Sequence, residues 1–333
     1  MRVLIADKFE ASGIEALTKA GFEVVSDPSL TPDTLGAALA EKRPAALVVR
    51  STKVPAGAIE KGAASGLRLI VRAGAGYDNI DLTSASTHGV AVCNCPGMNA
   101  VAVAELAIGH LIALDRRIPE QHAALQAGKW NKKEFGKARG LKGRTLGIVG
   151  LGAIGGEVAK RAKAFDMNVV AWSRHLDEPH ARILSIEFGG DTREELLRMV
   201  SRCDAISVHV AQTPETIGMC DAEFFGAMKQ GAYFVNTSRG KIVKEAALAD
   251  AVKTRGIRAA IDVYENQPGE PEAAFDCPMS KIENVHCTHH CGASTDQAQQ
   301  AVADETVRIL TVFRDTGRTE HCVNADALAS AAR

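Results

Sequence analysis

The chain has 333 residues, 46% of them hydrophobic and 24% charged, with a formal net charge of −1. That length can fill the cores of two ordinary domains, and the near-neutral balance lacks the basic footprint of a nucleic-acid binder. The eight cysteines are scattered through the chain, which suits reduced thiols in a cytoplasm rather than a disulfide framework.

The first residues, MRVLIADKFE, lack a basic segment followed by a long apolar one. They are expected to form a first strand and not a secretory signal. Strand candidates follow at RVLIA, FEVV, ALVV, LRLIV and VAVC, separated by segments of helical composition. A long helix is expected from about Asn99 to Ile118, apolar nearly all round through Val101, Ala104, Ile108, Leu111 and Ile112. Such a helix suits burial between domains or subunits. Its apolar stretch carries Glu105 and His110, and no run reaches the ~18 residues that a membrane span needs. The next strand candidates are TLGIV, NVVAW, CDAISVHV, AYFVN, IRAAID and NVHC. A second long helix is expected from about Thr295 to Arg314, with Ser294 and Gln297 as a capping box and Val302, Thr306, Ile309 and Phe313 as one stripe. Continuous apolar strands alternating with helices predict an α/β fold, with parallel sheets covered on both faces and arranged in two blocks.

The segment RTLGIVGLGAIGGEVAKRAKAF places Gly150, Gly152 and Gly155 between a strand and a helix. In that context the G-x-G-x-x-G pattern is a dinucleotide fingerprint. Gly150 would permit the tight turn, Gly152 the approach of a pyrophosphate, and Gly155 close helix–strand packing. The phosphates would meet the free N–H groups of the helix N-terminus. The next strand ends in Ser173 and Arg174 with no acid. An acid there would bind the ribose hydroxyls of NAD, whereas an arginine suits the 2′-phosphate of NADP.

The segment CTHHCGAST gathers Cys287, His289, His290 and Cys291, with His286 just before it. All are possible zinc ligands. Neighbours on an extended strand point to opposite faces, however, and paired C-x-x-C and H-x-x-H spacings are missing, so no metal site is expected. Cys93 and Cys95 in CNC read as a strand end and loop.

Six motifs in order resemble those of the D-isomer-specific 2-hydroxyacid dehydrogenases, nearest to the D-3-phosphoglycerate dehydrogenases within that family: VVRS, RAGAGYDNIDL, GLGAIG, VNTSRGKIV, AIDVY and HHCGAST. The resemblance covers nearly the whole chain. It implies a discontinuous flavodoxin-like substrate domain of residues 1–98 and 291–333, a Rossmann-like dinucleotide domain of residues 99–290, and an active site in the cleft between them. The two long helices would be the crossovers. It also implies a cytoplasmic homodimer that acts on a small 2-hydroxy or 2-keto acid with NAD or NADP, without nucleic-acid or membrane partners, in serine biosynthesis.

By the same resemblance His290 is the acid/base group, a role that a histidine fills in both directions of proton transfer. Arg239 would hold the substrate carboxylate and polarise the reacting carbonyl. The backbone at Ala75 and Gly76 would offer N–H groups to that carboxylate, and Arg50 and Ser51 would meet the substrate's distal end, with Arg50 pairing with a phosphate. Cofactor contacts are implied at Gly150, Gly152, Ala153, Ile154, Gly155, Ser173, Arg174, Val210, Thr237, Asp262 and Gly292, with Asp262 facing the nicotinamide carboxamide.

Two positions depart from the family pattern. Gln267 stands where a glutamate is usual beside the histidine, and His289 stands where proline is frequent. The catalytic set becomes Arg239, Gln267 and His290, and an amide orients the ring where a carboxylate would stabilise the imidazolium. Glu265, Glu270 and Glu272 lie close by in sequence. The chain ends with HCVNADALASAAR, so the C-terminal regulatory domain of many phosphoglycerate dehydrogenases, and its feedback, are expected to be absent. Arg50 favours 3-phosphoglycerate as substrate. A hydroxypyruvate or glyoxylate reductase is the alternative, suggested by Arg174. A dinucleotide-sensing scaffold, like the corepressors that share this fold, is a third reading supported by the lost glutamate alone.

Overall fold

Strands in this protein are short and almost wholly apolar because both faces of each sheet are covered. The computed structural model describes residues 1–269 and 272–331. The chain divides into two units: Met1–Asn99 and Ser294–Arg333 belong to unit 1, Ala100–Pro268 and Glu272–Ala293 to unit 2.

Unit 1 contains β1 (Arg2–Ile5), β2 (Glu23–Ser26), β3 (Ala46–Val49), β4 (Leu69–Arg72) and β5 (Ala91–Asn94). They form one parallel sheet in the order β2-β1-β3-β4-β5, the flavodoxin-like doubly wound order. Alternate residues of one strand feed two separate cores. Val3, Ile5, Val48 and Val71 pack with Val302, Ile309, Leu310 and Phe313. Leu4, Leu47, Val49 and Ile70 pack with Leu35, Leu39 and Ile59.

Unit 2 contains β6 (Thr145–Val149), β7 (Asn168–Trp172), β8 (Glu187–Phe188), β9 (Ala205–Val208), β10 (Tyr233–Asn236), β11 (Arg258–Ile261) and β12 (Val285–Cys287). Their order is β12-β11-β10-β9-β6-β7-β8, all parallel, which is the Rossmann order with one strand added. Here too the faces diverge: Val149, Ile206 and Phe234 point to one core, Ile148, Ala205 and Val235 to the other.

Three local expectations need correction. The first long helix is Ala100–Arg116 and not Asn99–Ile118. Arg117 takes a left-handed φ of 53°, and Pro119 sits in the first turn of a new helix, Ile118–Gln126. Val101 lies outside the buried face of the first helix, at 48% exposure. The second long helix, Asp296–Thr316, is capped by Thr295, whose side chain accepts from Ala298 N at 3.2 Å, rather than by a Ser294–Gln297 box. It ends at Gly317, with φ +72°. Strand β8 escaped the sequence reading because two residues carry no periodicity.

Candidate active site

The unit 2 sheet reverses its strand order between β6 and β9. The crevice at the carboxyl ends of such strands is where doubly wound sheets take ligands. Gly150 leaves β6 at φ +97°, a region that favours glycine. A Cβ there would lie 2.7 Å from Val210 Cγ1 and 2.8 Å from the His209 carbonyl oxygen. A Cβ on Gly155 would lie 2.1 Å from the Gly150 carbonyl oxygen, so glycine lets the helix Ala153–Ala164 start this close to β6. Gly152 is the N-cap of that helix, and a Cβ on it would meet nothing within 4 Å. Ala153 is exposed and Ile154 half-buried. No side chain caps this helix, so its N–H groups remain available to an anion.

Two buried polar atoms at the ends of β9 and β10 have no partner, His209 Nδ1 and Thr237 Oγ1. Orphaned groups of this kind cost about 1–3 kcal/mol each. They fit a bound polar group such as a dinucleotide, which would satisfy them. His209 Nε2 lies 2.8 Å from Ser207 Oγ, and burial pushes the His209 ring down to about 3, which keeps it neutral.

At the end of β7, Ser173 is buried and Arg174 exposed. The Glu215 carboxyl is held below its usual range first by a hydrogen bond from Thr213, and Arg174 adds to the effect. The strand end itself carries no acid, but the fold thus brings a carboxylate into the surroundings of Arg174.

Arg239 sits in a turn that Asn236 builds. Asn236 Oδ1 accepts from Ser238 N at 3.0 Å and from Ser238 Oγ at 2.6 Å, and its Nδ2 donates to the Arg239 carbonyl at 3.0 Å. The half-buried Arg239 donates from Nη1 to the Ser238 carbonyl at 2.8 Å. A Cβ on Gly240 would lie 2.0 Å from the Tyr264 carbonyl carbon, so the Arg239 turn packs directly on the chain leaving β11.

That chain leads to Gln267. Its Oε1 accepts from Tyr264 N at 3.2 Å, and its Nε2 lies 2.7 Å from His290 Nδ1. A backbone N–H can only donate, so Tyr264 takes the amide oxygen and turns the amide nitrogen toward the ring. His290 Nδ1 therefore accepts, and the ring proton rests on Nε2. His290 is exposed and holds φ at +51°, unusual for a residue with a Cβ.

Asp262, 1% exposed, fixes this loop. Its Oδ1 accepts from Thr288 Oγ1 at 2.6 Å and Cys291 N at 3.0 Å, and its Oδ2 from Gly292 N at 2.9 Å. The carboxylate thus grips both sides of His290. Thr288 Oγ1 also lies 3.3 Å from Nε2 of the buried His110. Burial pushes His110 down, and the Asp262 charge opposes the shift.

Of the nearby glutamates, Glu265 is engaged elsewhere: its N donates to Glu245 Oε1 at 2.8 Å, and its Oε1 accepts from Glu245 N at 3.4 Å. Glu272 is exposed, and Glu270 lies outside the described residues. Among the described residues no three His, Cys, Asp or Glu side chains converge as a metal site. His286 Nε2 lies 3.1 Å from Glu120 Oε1.

In unit 1 the order reverses between β1 and β3. Asp7 follows β1, and its carboxylate accepts from Arg50 N at 2.6 Å, Thr52 N at 3.2 Å and Thr52 Oγ1 at 3.1 Å. The turn so held leaves Arg50 half-buried and Ser51 exposed. Ala75 and Gly76 follow β4 and are half-buried. Asn94 Nδ2 donates to the Ala75 carbonyl at 2.6 Å, and Cys95 N to the Gly74 carbonyl at 2.9 Å.

Sequence reasoning missed Asp7, His110, His209 and Thr288. The only signal for Asp7 and His209 is a polar residue directly after an apolar strand. His110 and Thr288 acquire meaning only from tertiary contacts.

A sequence model for the NAD binding domain of D-isomer specific 2-hydroxyacid dehydrogenases matches residues 108–292. A D-3-phosphoglycerate dehydrogenase of Archaeoglobus fulgidus is 39% identical over 301 residues, covering 90% of this chain and 54% of that protein. The chain thus spans about half the length of the curated relatives it matches. The crystal structure of the TT0316 protein from Thermus thermophilus is similar at a TM-score of 0.81 and 30% identity, over 96% of this chain and 98% of that one. A 3-phosphoglycerate dehydrogenase from Entamoeba histolytica, solved with NAD+ bound, gives a TM-score of 0.79 at 25% identity over 97% of this chain and 98% of that one. With two doubly wound parallel sheets, a glycine-rich turn at the unit 2 reversal and this set of relatives, the chain belongs to the D-isomer-specific 2-hydroxyacid dehydrogenase family.

Proposed function

We propose that the chain is an NAD(P)-dependent oxidoreductase that interconverts a D-2-hydroxy acid and its 2-keto acid, with 3-phosphoglycerate as the preferred substrate. The observation that carries this reading is the presentation of His290. An exposed imidazole stands on a loop locked by Asp262, with Nδ1 held 2.7 Å from Gln267, in a part of the chain that also carries the Arg239 turn. The 39% identity to a phosphoglycerate dehydrogenase supports the substrate.

A bound nicotinamide supplies or accepts the hydride. The chain's own residues deal with the proton and the charge. His290 gives a proton to the keto oxygen in reduction and takes the hydroxyl proton in oxidation. Arg239 holds the carboxylate through its planar fork and draws electron density from the reacting carbonyl. Ala75 and Gly76 donate backbone N–H groups to the carboxylate, and Arg50, beside Ser51, pairs with the distal phosphate. The open N-terminus of Ala153–Ala164 receives the pyrophosphate, and Thr237, Val210, Ser173, Asp262 and Gly292 complete the cofactor's surroundings. On this reading unit 1 serves as the substrate domain and unit 2 as the dinucleotide domain. The protein acts as a cytoplasmic homodimer on a small-molecule acid, without nucleic-acid or membrane partners. Among the described residues no helix is long and apolar enough to cross a membrane.

The exposed Arg174 favours a second reading, an NADPH-driven hydroxypyruvate or glyoxylate reductase, although Glu215 competes for that guanidinium. A panel of 2-keto acids with NADH and NADPH separates the two. We expect the phosphorylated keto acid to give the highest kcat/KM. His290→Ala should lower kcat by about 10²–10⁴-fold. Arg239→Lys should be poor as well, since a point charge does not replace a bidentate fork. No steady turnover of any keto acid would leave the scaffold reading in its place.

A further inference from the structure

We propose that Cys93 and Cys322 are a thiol pair that a peroxide closes into a disulfide, joining the C-terminal segment covalently to β5. The backbone carries this inference. Cys93, in β5, and Cys322 face each other in an isolated antiparallel bridge within unit 1. Asn94 N donates to the His321 carbonyl at 3.3 Å, and Val323 N to the Val92 carbonyl at 2.8 Å. These bonds flank the two cysteines and do not join them, so the pair is of the non-hydrogen-bonded kind, with Cα atoms about 4.5 Å apart and side chains on one face. Disulfides span Cα separations of roughly 4.4–6.8 Å, so the bridge suits the bond without rebuilding the backbone.

The bridge sets the two side chains side by side on one face, and the Cys322 thiol donates to Asn324 Oδ1 at 3.3 Å. Cys93 is wholly buried and Cys322 half-buried, so one sulfur reaches an oxidant while the other waits behind it. The segment is held firmly. Asn324 is buried, accepts from Val92 N at 2.9 Å, and donates to Ser86 Oγ at 3.1 Å and the Val90 carbonyl at 3.0 Å. Cys95, two residues along, is engaged with the long helix instead, 3.5 Å from Thr306 Oγ1. The charge distribution agrees. The neighbouring Cys93 thiol lowers the Cys322 thiol to about 6, while Cys93 itself is pushed up by Cys322 and by burial. Burial also raises Cys203 and Cys220. The shift favours the thiolate, which is the nucleophile, on the accessible member of the pair.

The chemistry balances with one peroxide. The Cys322 thiolate attacks a peroxide oxygen, the O–O bond breaks, and hydroxide leaves to become water on protonation. Cys322 is now a sulfenic acid. The Cys93 sulfur attacks the Cys322 sulfur, the S–O bond breaks, and the Cys93 proton leaves with the hydroxyl as a second water. Both sulfurs are oxidised by one electron each, and the peroxide is reduced by two. The new bond links two stretches of unit 1 whose only other covalent connection runs through the whole of unit 2.

The test treats the full chain with hydrogen peroxide, alkylates it under denaturing conditions and maps the peptides. We expect an intact mass lower by two hydrogens and a Cys93–Cys322 peptide, with the other cysteines alkylated. The thermal midpoint should rise by several degrees on oxidation and fall back with dithiothreitol, because the link restricts the unfolded chain. Cys322→Ser, at the half-exposed position, should fold normally and show neither effect. Cys93 fully alkylated beside a Cys322 sulfinic acid, or a disulfide joining any other pair, overturns the proposal.

Discussion

Gln267 reverses the polarity of the hydrogen bond at His290 Nδ1. An imidazolium carries a proton on both nitrogens and needs an acceptor there, whereas the amide nitrogen 2.7 Å away is a donor. Turning the amide over would aim a donor at Tyr264 N and lose that bond, roughly 1 kcal/mol. A carboxylate would accept from Tyr264 N and from the ring at once. Gln267→Glu is therefore expected to raise the rate of keto-acid reduction near neutral pH. It should also move the descending limb of the reduction profile toward alkaline pH, by about 1–3 units, with KM for the dinucleotide nearly unchanged. The check is kcat/KM for reduction across the neutral-to-alkaline range in both proteins. Superimposable profiles would show that Gln267 does not govern the ring. The left-handed backbone at His290 belongs to the same scale, since φ values of this kind cost of order 1–3 kcal/mol and persist where the surroundings enforce them. Here the enforcing group is Asp262.

At the scale of strands and helices, the sequence made the parallel strands visible because strands covered on both faces are apolar without interruption. It hid what depends on pairing at a distance. RTLGIVGLGAIGG points to the glycine turn, but nothing in CDAISVHV says that His209 ends up behind that turn with an orphaned Nδ1. AIDVY marks Asp262, yet its grip on the amides of Cys291 and Gly292 spans about thirty residues and has no local signature. The end of β9 also makes a prediction about acid stability. His209 is pushed down to about 3 by burial, from an ordinary value near 6.5. The unfolded chain therefore takes up a proton that the folded chain refuses, so stability is complete above about pH 6.5 and declines as pH falls toward 3. By pH 5 the loss from this group should be about 2 kcal/mol. Urea unfolding at neutral pH and at pH 5 reads it, and His209→Gln should remove this part of the pH dependence. An equal loss in that variant would assign the acid sensitivity to other groups.

On the scale of the whole molecule, unit 2 leaves Val101, Ile118, Leu125 and Trp130 outside its cores, exposed by 48%, 49%, 56% and 80%. Apolar side chains grouped within thirty residues suit an interface between two copies of the chain. Light scattering at micromolar concentration should give twice the monomer mass, and Leu125→Asp with Trp130→Asp should return it to one. A monomer mass for the unaltered chain would count against the homodimer.

The division of unit 1 into two stretches of chain also sets a timetable for synthesis. Val3, Ile5, Val48 and Val71 emerge early, but much of what covers them, Val302, Ile309, Leu310 and Phe313, emerges near the end. Roughly 200 residues separate Asn99 from that helix, and ribosomes add about 5–20 residues per second, so the wait is on the order of 10–40 s. During that interval unit 2 can complete both of its cores, while one face of the first sheet is covered only in part, by Phe9, Ile14, Leu17 and Phe22. A nascent chain of this kind invites a chaperone at one predictable place, the part of β1, β3 and β4 that awaits the late helix.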